Sequence, residues 1–141
     1  MKKIFCVTAS SLFLLALSLT SCEDEKTPEE LLIGKWSSES LHRTSYENGV
    51  QTDEETYTYE PGDEDVQFLE GGTGKTYLNG AVEETFTWEI SGDILKIKMP
   101  EDDAINMDFT VSETKLTLKY SFEETYEGVV YKEEMEVILS R

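Results

Sequence analysis

The chain has 141 residues, enough for one domain with its own hydrophobic core. It contains 30 Asp and Glu residues against 12 Lys and Arg, and the formal net charge of −18 disfavours binding to the phosphate backbone of nucleic acids. A single histidine also disfavours a tight zinc site. The composition therefore indicates an acidic domain that depends on a conventional apolar core.

The first 21 residues have the layout of a secretory signal peptide. Lys2 and Lys3 precede a mostly apolar stretch, Ile4 to Leu19, that ends in small polar residues. A membrane-spanning helix needs roughly 20 predominantly apolar residues, whereas this stretch is shorter and is soon followed by acidic residues. We therefore predict that residues 1–21 are a signal peptide and not an anchor helix.

The end of this signal carries a more specific pattern. Leu19-Thr20-Ser21-Cys22 resembles the lipobox of bacterial lipoproteins, in which an apolar residue and two small residues precede a cysteine. The resemblance implies cleavage before Cys22 and lipidation of its sulfur, and several acyl chains make a stable membrane anchor. The alternative is an ordinary secretory signal with a chance cysteine. Because Cys6 would leave with the signal, the mature domain should contain neither a free thiol nor an internal disulfide.

Residues 22–26 are interpreted as the lipidated cysteine and an acidic tether. Glu23, Asp24 and Glu25 resemble the surface-export signal of Bacteroidota lipoproteins. The resemblance implies a lipid-anchored protein of the cell outer membrane and fits exposure at the cell surface. Loss of Lys2 and Lys3 leaves 10 basic residues against 30 acidic ones, which we interpret as a solvated exterior.

The domain itself, residues 27–141, should open with one or two helical turns. Thr27 suits the N-cap, Pro28 suits the first helical position and Glu30 completes a capping box. Gly34 should end this helix.

After Gly34, apolar residues alternate with polar ones, which is the period-two pattern of half-buried β-strands. Turn signals such as Asn48-Gly49 and Asn79-Gly80 divide the strands at hairpin spacing. No second helical run is long enough for a parallel crossover. We predict an all-β fold of eight or nine antiparallel strands, arranged as a meander that closes into an up-and-down barrel. A two-sheet β-sandwich is the alternative.

Several motifs of the mature chain resemble a known family. Gly34-Lys35-Trp36 looks like the Gly-x-Trp opening of lipocalins, and Trp88–Leu95 and Phe109–Leu118 resemble segments of small lipocalin-like domain lipoproteins of Bacteroidota. The resemblance implies that Trp36 closes one end of a barrel beside an arginine from a late strand. It also implies a small apolar or amphipathic ligand. The helix that follows the barrel in lipocalins has no counterpart before Arg141.

The candidate ligand-binding residues are polar residues on the inward parity of the strands. If Trp36 faces inward, regular alternation also directs Ser38, Ser40, His42 and Thr44 inward. Glu84 and Glu133 likewise share the parity of apolar neighbours. An unpaired buried carboxylate is unfavourable, so such residues should line a mouth, find partners or mark β-bulges that reset the register. The predicted ligand site comprises His42, Glu84, Trp88, Tyr131 and Glu133, and the predicted structural core includes Trp36, Phe86, Phe109 and Tyr120.

Motifs for catalysis or cofactor binding are weak. Gly71–Thr76 ends like a phosphate loop but lacks the first glycine and the following helix. Asp63–Asp65 begins like a calcium loop, but Gln67 and Phe68 stand where an oxygen ligand and a glycine are required. No Gly-x-Ser-x-Gly elbow occurs, and one carboxylate pair among 30 acids carries no information. We therefore expect no enzymatic activity, no catalytic residue, no tightly bound metal and no cofactor.

The sequence thus predicts a non-enzymatic lipoprotein anchored in the outer membrane by lipid on Cys22. Its predicted partner is a small apolar or amphipathic ligand held by the barrel. The alternative is an interaction module with a packed interior, which binds an envelope protein or a glycan through loops and strand faces. A pocket of roughly 300 Å³ or more distinguishes a small-molecule binder from such a module.

Overall fold

The computed structural model describes residues 25–141, so the predicted signal peptide and Cys22 lie outside the described part of the chain. Within it, one short helix precedes nine strands. The helix α1 begins with the capping box expected at Thr27 and Glu30. The elements are α1 Pro28–Leu32, β1 Gly34–Glu47, β2 Val50–Thr58, β3 Glu64–Leu69, β4 Thr73–Leu78, β5 Ala81–Ser91, β6 Ile94–Lys98, β7 Ile105–Val111, β8 Lys115–Tyr126 and β9 Val129–Ser140.

The strands form one antiparallel sheet that closes on itself. Its order is β2-β1-β3-β4-β5-β6-β7-β8-β9, and β1 also pairs with β9. Eight strands therefore make a barrel, while β2 pairs only with β1 and lies outside the closed ring. The predicted all-β barrel with a short N-terminal helix is confirmed, and the sandwich alternative is wrong because β9 pairs with β1 and closes the ring of eight strands.

Tight turns between neighbouring strands produce the meander. Asn48-Gly49 and Asn79-Gly80 both have positive φ at each residue, as their sequences predict for two-residue hairpin loops. The β8–β9 turn, Glu127-Gly128, has the same conformation, with φ of 51° and 83°. Glutamate is an unusual residue for this conformation, so this turn has a weaker sequence signal than the other two.

Large apolar side chains fill the interior of the barrel. Trp36 and Phe68 are completely buried, and Phe68 makes edge-to-face contacts with Phe86 and Trp88 at centroid distances of 5.5 and 5.7 Å. Phe109 and Tyr120 are partly buried against this cluster. The buried core consists of Leu32, Trp36, Phe68, Phe86, Trp88, Leu95, Ile97, Met107, Leu116, Leu118 and Leu139.

The end of the barrel beneath α1 is closed by an arginine and a tryptophan. The Arg141 guanidinium lies 4.2 Å from the centroid of the Trp36 ring and donates hydrogen bonds to the carbonyls of Leu31, Ile33 and Glu113. The Trp36 indole N–H donates to the carbonyl of Leu32 at 2.8 Å. The bonds to Leu31, Leu32 and Ile33 satisfy carbonyl groups at the C-terminal end of α1, where no further helical turn supplies N–H donors.

The opposite end carries a sheet extension. From Gly34 to Ser37, β1 pairs with β3, whereas from Ser40 onward it pairs with β2. The pairing of β8 with β7 ends at Lys119, but β8 and β9 continue to pair with each other as far as Tyr126 and Val129. We call this four-stranded region the extension; it comprises Ser40–Glu47, Val50–Thr58, Tyr120–Tyr126 and Val129–Met135.

A β-bulge at Glu39 separates the barrel part of β1 from the extension. The register with β9 shifts between Ser38 and Ser40, and the Glu39 carbonyl accepts a hydrogen bond from the Tyr59 N–H. Ser38 therefore faces the core, but the residues after the bulge change face. The prediction that Ser40, His42 and Thr44 face inward is wrong for this reason. A second bulge, at Glu83, leaves Val82 exposed and removes it from the predicted apolar face of β5.

Candidate functional site

The inner face of the extension, which continues the inner surface of the barrel, exposes aromatic side chains. Directly paired residues of antiparallel strands share a face, and Leu41 pairs with both Tyr57 and the partly buried Val137. The same alternation brings further aromatics of β8 and β9 to this face. In residues 25–141 the exposed aromatic side chains are Tyr57, Phe122, Tyr126 and Tyr131, at 46, 46, 64 and 39% exposure, and all four lie on the inner face of the extension.

Two of these aromatics alternate with two carboxylates. Phe122 lies directly opposite Glu133, and Glu124 lies directly opposite Tyr131. Each aromatic therefore has a glutamate beside it across the strands and another two residues away along its own strand. These four side chains, which we call the checkerboard, surround a depression of about 540 Å³ that Glu123 also borders. Phe122 is supported from below by Tyr120, edge to face, at a centroid distance of 5.5 Å.

An ion pair lies next to the checkerboard on the same face. Arg43 donates to the Glu55 carboxylate at 2.5 Å, and the Tyr57 hydroxyl donates to the same oxygen. The hydrogen bonds from Tyr57 and Arg43 lower the pKa of Glu55. The Nε–H of Arg43 is buried without a hydrogen-bond partner. Arg43 thus has its charge compensated by Glu55 and retains one donor.

Three polar groups, Tyr59, Glu64 and Tyr120, interact where the extension joins the barrel. Burial raises the pKa of Glu64, and the nearby Glu83 carboxylate adds to this effect. Burial also raises the pKa of Tyr59 and of Tyr120, and the charge of Glu64 acts on both hydroxyl groups in the same direction. Tyr59 and Glu64 are hydrogen-bonded to each other, and the charge of Glu64 acts on the hydroxyl group of Tyr120, so the three polar groups lie close together.

The five residues predicted as a ligand site do not meet in one concave region. Tyr131 and Glu133 lie together on the inner face of the extension. His42 lies on the outer face, 3.2 Å from Glu54, in a groove of about 460 Å³ that also contains Lys119 and Glu136. Glu84 and Trp88 lie in two further parts of the molecule.

Glu84 borders an acidic depression of about 440 Å³ beside Met99 and Glu101. Trp88 belongs to the core, where its indole N–H donates to the carbonyl of Thr73 at 2.8 Å. A further depression, about 590 Å³, lies on the barrel wall over Gly74 and Phe86. That depression offers no exposed aromatic ring, so we consider the inner face of the extension the better candidate site.

Sequence reasoning did not assign Phe122, Glu124, Tyr126 or Arg43 to a site. The signal for the first three was the β8 alternation, which continues from Tyr120 through Phe122 and Glu124 to Tyr126. Arg43 had no such signal, because its face depends on the bulge at Glu39. The described residues contain no group of three or more His, Cys, Asp or Glu side chains placed to hold a metal ion.

No family model, curated protein or solved structure matches the chain. Over residues 25–141, no helix is long and apolar enough to cross a membrane. The fold and the site therefore define the protein only by class: a small closed β-barrel that presents an exposed aromatic and acidic face at one end.

Proposed function

We propose that the protein is a non-enzymatic lipoprotein of the outer membrane whose barrel binds a small amphipathic molecule on the inner face of its extension. The observation that supports this most strongly is the concentration of exposed aromatic side chains on that one face. Exposed apolar surface that is gathered into one patch is typical of binding sites. The depression there, about 540 Å³, has the volume of a small-molecule pocket.

Because the core is packed, the proposed ligand site is the inner face of the extension and not the interior of the barrel. Trp36, Phe68, Phe86 and Trp88 occupy the space that a roomy barrel would leave for its ligand. A ligand would therefore lie outside the core, in the depression of the checkerboard, with its apolar part against the rings of Phe122 and Tyr131.

The position of the tether supports an outward-facing site. Lys26 pairs with Glu113 at 2.9 Å, and Glu113 also binds Arg141 at the closed end through its carbonyl. Cys22 precedes Lys26 by four residues, about 14 Å when extended. The strand β1 has 14 residues and leads away from that end over about 45 Å. With lipid on Cys22, the closed end would face the membrane and the extension would face away from it.

The binding proposal is tested on the whole lipoprotein in lipid nanodiscs, with 2-naphthylethanol as a neutral amphipathic probe and empty nanodiscs as the blank. Calorimetry should show saturable binding, and NMR should shift amide signals of β8 and β9. The double variant Phe122→Ser, Tyr131→Ser should lose this binding. The matched variant Leu78→Ser, Val82→Ser removes two exposed apolar side chains from another region and should bind like the wild type. Equal binding by both variants, or none by the wild type, would refute the proposed site.

The address is tested separately. Cys22→Ala should release the protein from the membrane fraction, whereas Cys6→Ala, which changes the other cysteine, should not. Membrane retention of the Cys22 variant would contradict the lipoprotein assignment and leave the ligand site unaffected.

A further inference from the structure

The checkerboard combines two exposed aromatic rings with two carboxylates, and this combination favours a positively charged ligand. We infer that it binds an organic cation with an apolar body, such as a quaternary or primary ammonium compound. This inference rests on the proposed function of the same face and specifies the chemical class of its ligand.

The two glutamates of the checkerboard form no salt bridge within the described residues. Neither Glu124 nor Glu133 forms an ion pair there, whereas Glu134, the next residue along β9, binds Lys132 at 2.6 Å on the opposite face. Arg43 is the basic residue on the inner face of the extension. It forms its ion pair with Glu55 and also interacts electrostatically with Glu133, so one arginine is set against the three carboxylates of Glu55, Glu124 and Glu133. The checkerboard therefore carries uncompensated negative charge beside apolar surface.

The geometry allows one cationic group to contact all four side chains. Neighbouring strands lie about 4.8 Å apart and alternate residues on one face about 7 Å apart, so an ammonium group above the centre reaches both carboxylates. The faces of Phe122 and Tyr131 attract a cation through their quadrupole, and methyl groups on the nitrogen gain apolar contact with the rings. A carboxylate ligand would meet repulsion from Glu124 and Glu133 instead.

The rest of the molecule favours the same class of ligand. The chain has a formal net charge of −18, which raises the local concentration of cations near the surface. An inorganic cation would use the carboxylates but leave the rings without a role, and no triad of metal-binding side chains stands in the described residues. Only an organic cation uses both halves of the checkerboard.

The experiment compares three probes that share one aromatic body: (2-naphthylmethyl)trimethylammonium, 2-naphthylethanol and 2-naphthylacetate. Each is titrated by calorimetry into the whole lipoprotein in nanodiscs of neutral lipid, with empty nanodiscs as the blank. We expect the cation to bind about tenfold more tightly than the alcohol, because two exposed carboxylates each contribute a modest ion pair. The acetate should bind most weakly. Raising the salt concentration from about 0.01 M to about 1 M should weaken the cation alone.

Two matched variants separate a local effect from a general one. Glu124→Gln, Glu133→Gln should reduce the preference for the cation over the alcohol to less than about twofold, since it removes both ion pairs. Glu101→Gln, Asp102→Asn makes the same change in net charge on the loop between β6 and β7 and should leave the preference unchanged. Equal binding of cation and alcohol by the wild type would overturn this inference while the proposed function stands. A cation preference lost equally in both variants would assign it to overall charge, and failure of all three probes to bind would remove the proposed function as well.

Discussion

The two ends of the barrel show opposite uses of aromatic residues. At the closed end, Trp36 is fully buried, its N–H is satisfied by Leu32, and Arg141 covers its ring. At the extension, Phe122 and Tyr131 lie on a strand face with large exposed fractions and little above them. Burial of Trp36 stabilises the fold, whereas the exposed rings of Phe122 and Tyr131 remain available for contact with a ligand. Substitutions should therefore affect folding at one end and binding at the other.

The largest effect is expected from Trp36→Ala. Removing this completely buried side chain loses its transfer free energy and leaves a cavity, so the free energy of unfolding should fall by about 3 to 5 kcal/mol. Urea titration followed by circular dichroism measures this loss. A loss below about 1 kcal/mol would mean that the closed end does not contribute more to stability than the extension.

Arg141→Ala should have the next largest effect. The variant loses three hydrogen bonds to backbone carbonyls and the contact with the Trp36 ring, and we expect a loss of about 2 kcal/mol in the same titration. Arg141→Lys should recover only part of this loss, because an ammonium group cannot reproduce the planar fork of donors. Lys98→Ala, at an exposed lysine of the barrel wall, serves as the control and should change stability little. Full recovery by lysine would show that charge, and not the fork, matters.

The barrel wall below the extension should also show a pH dependence, through the buried carboxylate of Asp65, which lies on β3 opposite Ser37 of β1. Asp65 is 4% exposed. Burial tends to raise the pKa of Asp65. The hydrogen bonds from Lys35 and Ser37 have a larger opposite effect, so the pKa of Asp65 lies below its usual value. A carboxyl group whose pKa is lower in the folded state stabilises the protein above about pH 4, and this contribution disappears as the pH falls through the folded-state value.

Wild-type protein should therefore lose about 1 kcal/mol more stability than Asp65→Asn between about pH 5 and about pH 2. Urea titrations at a series of pH values measure both curves. Parallel curves for the two proteins would mean that the Lys35 and Ser37 contacts do not favour the charged form of Asp65.

The smallest effect on stability is expected from Phe122→Ala. Its ring is half exposed and packs mainly against Tyr120, so the loss should be about 0.5 kcal/mol. Binding of 2-naphthylethanol should nevertheless weaken, because the ring forms part of the checkerboard. A loss of stability comparable to that of Trp36→Ala would show that Phe122 belongs to the core and would contradict the assignment of the extension to recognition.

Much of the fold follows from local chemistry in the sequence. The capping box of Thr27 and Glu30 and the Asn-Gly turns are satisfied by residues within a few positions of each other, and the structure reproduces them. The alternation of Leu116, Leu118, Tyr120 and Phe122 also matches the observed inner face of β8. Such features need no knowledge of distant residues, which is why the sequence predicts them.

The candidate site was predicted only in part. Tyr131 and Glu133 lie on the face where alternation places them, because β9 has no bulge in its register with β8. His42 lies on the opposite face because one additional residue, Glu39, interrupts β1. Whether a strand contains a bulge depends on the strands that it pairs with. On one side of β1, the partner changes from β3 to β2 at this point.

The sequence alone determined the strand and turn pattern and the all-β class of the domain, and it predicts the lipid address, since each depends on short segments read in order. The closure of the barrel became clear only from the pairing of β1 with β9. The tertiary structure decided which strand partners β1 along its length, and therefore which side chains of the extension share a face. It also brought Phe122 and Glu124 opposite Glu133 and Tyr131 across a hairpin whose Glu127-Gly128 turn carries little sequence signal. Register between strands is a property of paired chains, and a shift by one residue exchanges the two faces of a strand.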